Sequence, residues 1–249
     1  QSSALATLAP AISRAERLLL FTKIIMAKPI EYGIEKLAAN QACYLAQELA
    51  NLIDTVHNQG LSFDRLTDLV PEEYAVHWQE TLKFLQIITE YWPQILAERQ
   101  LIDASDRRNR LLRAQIDLWR QNPPVKRIVA AGTTAAFPLM KELVKTVLSL
   151  EKGELYLAGI DKFLEDEAWE KIDETHPQHE LKELLDYLTV RREDIPDLQA
   201  PENFGREVLI SEVMRPAATT EKWRDIAGKK IRHEAADGIT LVNCADMRE

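Results

Sequence analysis

Glycine is scarce in this chain, with 8 residues in 249. Folds built from many strands and tight turns draw heavily on glycine, so an extensive all-β structure is not expected. Cysteine is scarcer. The two present, Cys43 and Cys244, lie far apart with no C-x-x-C spacing. This argues against a disulfide framework and a zinc ribbon and points to a reducing compartment, the cytoplasm. No run of about 18 apolar residues occurs, so no membrane span is expected, and no segment has the anatomy of a signal peptide. An excess of positive charge is missing as well: the formal net charge is −9. Such a surface does not attract nucleic acid as a whole. DNA binding would need a local basic patch or a partner that supplies the charge.

What is present is the material of a folded chain. Hydrophobic residues make up 46% and charged residues 29%, which suits a soluble globular protein and not a disordered one. The length suits one large domain or two modest ones. The chain does not begin with Met, and it stops at "GITLVNCADMRE", just after an apparent strand. A lone terminal strand needs neighbours to pair with, so the expectation is a piece of a longer polypeptide.

Residues 1–121 read as a helical domain. "PAISRAERLLLFTKIIMAKP" carries a capping box, Ser13 with Glu16, and stops before Pro29. The next helix places Ile34, Leu37, Leu45, Leu49, Leu52, Ile53 and Val56 at spacings of three and four and ends at Gly60. A third starts at Pro71 with Glu72 and Glu73 suited to its dipole, and Pro93 should kink it. "DASDRRNRLLRAQIDLWRQNPP" follows, and its prolines end it. The pattern then changes at the boundary Asn122-Pro123-Pro124. Residues 125–249 read as an α/β portion. In it "RIVAA" and "ELYLAGI" bracket a helix from about Phe137 to Leu150, a strand–helix–strand unit with parallel strands. Residues 161–190 return to helix, with ten acids and three bases from Asp161 to Asp186. Short helices at 203–214 and 219–226 and a last strand at about 239–244 complete the reading. The fold class expected is mainly α with a smaller α/β part.

The stretch "KRIVAAGTTAAFPLMKELV" has the outline of a phosphate site, a strand, a turn and a helix N-terminus. A Walker loop needs G-x-x-x-x-G-K-[ST], because its Lys reaches the β and γ phosphates and its hydroxyl holds magnesium. Gly132 is followed instead by Thr133, Thr134, Ala135, Ala136, Phe137 and Pro138, with no second Gly and no Lys. G-x-G-x-x-G is absent, and the strand ends in Ala-Ala-Gly without metal-holding acids. The plain reading is an ordinary turn with Thr134 as helix N-cap. His176-Pro177-Gln178-His179 with Glu180 suggests a metal only weakly, lacking both H-E-x-x-H and a Cys partner. It reads more simply as a helix break. No nucleophile–base–orienter set can be assembled.

The basic segment "DRRNRLLRAQIDLWRQNPPVKR" carries Arg107, Arg108, Arg110, Arg113, Arg120, Lys126 and Arg127 against only Asp106 and Asp117. Arg110, Arg113 and Arg120 share one helix face, opposite Leu111, Leu112, Ile116, Leu118 and Trp119. Two readings stand: a face that contacts DNA phosphates through Arg107, Arg110, Arg113, Arg120, Lys126 and Arg127, or a solvated face laced by Asp106–Arg110 and Arg113–Asp117 pairs.

Several blocks together resemble one family. Asp68–Leu112 ("DLVPEEYAVHWQETLKFLQIITEYWPQILAERQLIDASDRRNRLL") and Ile128–Asp161 resemble the helical insertion and the following sheet of the AddB family of double-strand-break repair subunits, in its alphaproteobacterial form. Asp166–Ile195, with Trp169, His176-Pro177-Gln178 and Leu181-Lys182, is similar to that family's next block. "SEVMRPAATTEKWRD" (Ser211–Asp225) is similar to its later Arg-Pro-Ala-Ala-Thr-Thr-x-x-Trp signature. The resemblance implies a helical 1B-like insertion followed by a RecA-like sheet, in the half of the subunit that looks like a superfamily 1 helicase without motor chemistry. It implies a DNA-guiding role on ends and single strands beside an AddA-type helicase–nuclease subunit, without a membrane. It implies no cofactor in this segment. The family's iron–sulfur cluster and magnesium belong to a C-terminal nuclease domain whose acids and cysteines have no matching positions here. The contrasting expectation is a helical protein-interaction module with no DNA contact.

Overall fold

The computed structural model describes residues 8–27, 37–63, 75–200, 202–226, 233–240 and 242, with the side chains of 75–80, 226 and 233 left aside. The chain is mainly helical with a small two-stranded parallel sheet. The helix stop at Pro29, Ile34, the start at Pro71 and the acids Glu72 and Glu73 lie outside the described residues. Backbone contacts divide the chain into two compact units, residues 1–130 with 137–155 and residues 131–136 with 156–249.

In the first unit, α1 (Arg14–Ala27) starts where Ser13 Oγ accepts the Glu16 N–H at 3.2 Å, one half of the expected capping box. The Glu16 carboxylate turns away to pair with Arg99 at 3.1 Å. The next helix, α2 (Ala39–Asn58), packs on α1 through Ala42, Ala46, Leu49, Ala50 and Ile53. Alanine at three of these positions lets the two backbones approach closely, and Leu52, expected inside, is exposed. The chain leaves α2 through Gly60 at φ 67°. Then α3 (Ala75–Gln86) runs through a π-helical turn, Ile87–Tyr91, into α4 (Trp92–Arg99). That turn is the distortion expected at Pro93. Proline has no N–H to continue the regular ladder, and Trp92 bonds back five residues to the Ile87 carbonyl. Trp92 is buried against Phe21, ring centroids 4.2 Å apart. The last long helix, α5 (Ala104–Gln121), ends before Pro123.

The sheet pairs β1 (Ile128–Ala131) with β2 (Gly153–Tyr156), and α6 (Pro138–Leu148) joins them. The Ile128 N–H bonds to the Lys152 carbonyl and the Gly132 N–H to the Tyr156 carbonyl, an advance in the same direction along both strands. Residues 157–160, expected to extend β2, are not in a strand. β2 stops level with the end of β1, where no ladder partner remains. Gly153 is required at its position, since a Cβ there would stand 1.7 Å from the Val147 carbonyl oxygen.

The second unit holds α7 (Asp166–Glu170), α8 (His179–Leu188), α9 (Phe204–Val213) and α10 (Trp223–Ile226), with short 3-10 turns between. The helical stretch 161–190 is two helices, and the break at 171–178 contains His176-Pro177, where the sequence marks an interruption before a helix at 178–188. Leu164, Ala168, Trp169, Ile172 and Leu185 form its core. Arg192 stacks over Trp169 at 4.9 Å and donates to the Asp161 carbonyl and the Asp166 carboxylate. Of the expected strand at 239–244, the described Ile239, Thr240 and Val242 are not in a strand, and the others lie outside the described residues.

Candidate phosphate turn and nucleic-acid interface

At the end of β1, Gly132 takes φ 67°. The Thr133 hydroxyl accepts the Ala135 N–H at 3.0 Å, and Ala135 is itself held at φ 50°. The helix that follows offers few free first-turn donors. Its N-cap is Phe137, which has no side-chain cap. Pro138 lacks an N–H, and the Met140 N–H is spent on the Phe137 carbonyl at 2.9 Å. Phosphate sites at helix termini need these first-turn donors free. The expectation that Thr134 caps the helix is corrected: its hydroxyl donates to the Glu180 carboxylate instead. A side chain with its own acceptor 46 residues away has no reason to serve the local backbone. The result is a negative group on the turn, the opposite of what a phosphate requires.

The histidines are engaged separately. His176 Nε2 lies 2.6 Å from the Met214 carbonyl, which can only accept, so Nε2 carries the proton. Nδ1 then accepts the Gln178 N–H at 3.1 Å, leaving no ring lone pair for a metal. His179 faces Glu183 at 3.6 Å, and Glu180 holds Thr134. No group of three or more metal-ligating side chains is assembled among the described residues. A four-thiolate iron–sulfur cluster does not fit a chain with two cysteines.

On the basic segment the six expected DNA-contacting residues divide. Arg107 donates to the Ala9 carbonyl. Arg110 grips Asp106 through both carboxylate oxygens, at 3.0 and 2.8 Å. Arg120 pairs with Glu142 at 2.9 Å, and Arg127 grips Glu154. Arg113 and Lys126 are exposed and have no ion-pair or hydrogen-bond partner among the described residues. The Arg113–Asp117 pair expected at i,i+4 does not form. Charge is distributed in the same sense: residues 1–155 hold 18 acidic and 18 basic side chains, and residues 156–249 hold 22 and 13. The whole net charge of −9 therefore falls on the second stretch, and the first is balanced.

One polar cluster in the first unit escaped the sequence reading. Arg17 donates to both carboxylate oxygens of Asp54, at 2.9 and 3.1 Å, and to the Ala50 carbonyl at 2.9 Å. Its Nε lies 3.2 Å from Asp103 Oδ1. The Trp92 indole N–H donates to Asp103 Oδ2 at 2.8 Å. Burial pushes the Asp103 carboxyl above its ordinary range, against the lowering effects of Arg17 and Trp92. Beside it, Ser105 Oγ donates to Asp54 at 2.7 Å and meets His57 Nδ1 at 2.9 Å. With the hydroxyl proton given to Asp54, His57 must donate to Ser105. That is the reverse of nucleophile activation, in which the ring accepts the serine proton. His57, Trp92 and Asp103 of this cluster line a cavity of about 910 Å³ whose other walls include Ile53, Leu85 and Ile88. No signal short of tertiary contact marks it, because its members come from four separate helices or their ends.

No protein-family model, curated protein or solved structure gives a significant match to this chain.

Proposed function

We propose that this chain is a non-catalytic, helicase-like segment of an AddB-type subunit of a DNA double-strand-break repair helicase–nuclease. In this reading the helices of residues 1–121 form a 1B-like insertion, and β1, α6 and β2 belong to a RecA-like domain. The segment guides DNA and contacts an AddA-type motor subunit in the cytoplasm. The order and spacing of the family-like blocks support it. The observation that carries it is the turn at Gly132, which has the outline of a nucleotide site but lacks the Lys and the acids and bears the Glu180 carboxylate. DNA contact is assigned to the basic surface around α5, with Arg113 and Lys126 free to meet phosphates.

The second reading, a helical interaction module without DNA contact, is favoured by the ion pairs that already occupy Arg110, Arg120 and Arg127. Binding to single-stranded and end-bearing DNA, measured by fluorescence anisotropy across salt concentrations, separates the two. The first reading expects binding whose salt slope falls by about 1.5 units in Arg113→Ala with Lys126→Ala, the loss of two phosphate contacts. Absence of binding at low salt, or an unchanged slope, favours the second.

A further inference from the structure

In the second unit, α9 carries apolar residues on more than its inner side. Val208 and Leu209 are half-buried, whereas Ile210 and Val213 are 55% and 62% exposed, and Met214 just beyond the helix is 40% exposed. Spacings of three and four place Ile210, Val213 and Met214 in one stripe. Trp223, 47% exposed, is held at its end by an indole N–H bond to the Glu212 carbonyl at 2.9 Å. A helix apolar on both sides is ordinarily covered on both.

The stripe borders a cavity of about 180 Å³, lined in part by Ile160, Phe163, Ile210 and Met214. This is below the roughly 300–1,000 Å³ of small-molecule sites and suits one anchoring side chain. Two carboxylates also line it: Asp161, whose Oδ1 accepts the Phe163 and Leu164 N–H groups at 2.9 Å, and Glu207; no cation pairs with either among the described residues. Ser211, also in the lining, is 4% exposed and its hydroxyl has no hydrogen-bond partner. The surrounding stretch, residues 156–249, holds 22 acidic against 13 basic residues.

We infer that this stripe and cavity form a docking surface for a basic amphipathic helix of a partner protein. One bulky apolar side chain of that helix enters the cavity, and flanking Lys or Arg residues meet Asp161 and Glu207. Charge complementarity decides the occupant: an acidic or neutral segment would leave both carboxylates without a counter-charge. The inference does not rest on the proposed DNA role, which is read at Arg113 and Lys126.

The test uses the whole chain and two labelled amphipathic peptides, one of leucine and lysine and one of leucine and glutamate, followed by fluorescence anisotropy. The lysine peptide is expected to bind and the glutamate peptide not to. Ile210→Glu with Val213→Glu should weaken the lysine peptide at least about ten-fold, although it adds negative charge, because the apolar contact is lost. Glu207→Gln, a surface change that spares the fold, should weaken binding and flatten its salt dependence. The inference is overturned if the double variant binds as tightly as the parent, if neither peptide binds, or if both bind equally. It is also overturned if the parent chain dimerises through Ile210 and Val213, as a dimer abolished by the double variant would reveal.

Discussion

The hydroxyl of Thr134 donates to the carboxylate of Glu180, and this pairing sets what the turn after β1 can hold. A phosphate approaching it would meet a negative charge and a helix start whose Pro138 has no N–H. Magnesium ATP is therefore expected to leave thermal unfolding unchanged, whereas a nucleotide at a hundred times its Kd would add about 2.7 kcal/mol of stability. Glu180→Gln should not create an ATPase. ATP hydrolysis that disappears on replacing Thr133 and Thr134 with alanine would refute the non-catalytic reading.

Arg17 lies at the centre of the first unit's polar cluster. It is 6% exposed, donates to Asp54 and the Ala50 carbonyl, and places its charge 3.2 Å from Asp103. Arg17→Met should lower stability in urea unfolding by about 3 kcal/mol, chiefly because the buried Asp103 loses its counter-charge. Arg17→Lys should recover only part of this, since one ammonium cannot reproduce the fork that holds both Asp54 and the Ala50 carbonyl. A loss well under 1 kcal/mol for Arg17→Met would show that the cluster is not a structural keystone.

Asp103 makes stability depend on pH in a definite direction. Its folded-state pKa lies above the ordinary 3.8, with desolvation as the main cause. The folded state thus holds this proton more tightly than the unfolded chain. Its contribution is fully present below the unfolded pKa and is lost as pH rises from about 3.8 through the folded value. The stability of the parent chain relative to Asp103→Asn should therefore decline across that rise. Trp92 fluorescence, sensitive to its bond with Asp103, should change over the same interval. A relative stability that climbs with pH would contradict the burial argument.

Two glycines should respond very differently to alanine. At Gly153 a Cβ would collide with the Val147 carbonyl, which is backbone and cannot rotate away. A cost of about 3 kcal/mol or failure to fold is expected. At Gly132 nothing lies within 4 Å of the added carbon, so only the positive φ matters, at about 1 kcal/mol. Thermal unfolding of both variants checks the ordering, and equal losses would refute it.

Features set within a few residues of chain were legible early. Ser13 meets the Glu16 N–H, Gly60 closes α2, and the proline pair closes α5, because caps and breakers act through neighbouring backbone groups. The Asp106–Arg110 pair follows from one helical turn. The strand–turn–helix around Gly132 was visible for the same reason, as was its lack of phosphate-binding residues. Longer separations escaped. Periodicity placed Leu52 on the apolar side of α2, but the close approach of α1 selected the alanines and left Leu52 outside. Nothing local foretells that Thr134 finds Glu180, that Glu142 and Glu154 occupy Arg120 and Arg127, or that Asp103 is buried between Arg17 and Trp92. Hydrophobic spacing orients a helix face without naming its neighbour. Apart from the local Asp106–Arg110 pair, which charges of the basic segment are occupied is settled by partners that the fold brings from 22 to 98 residues away.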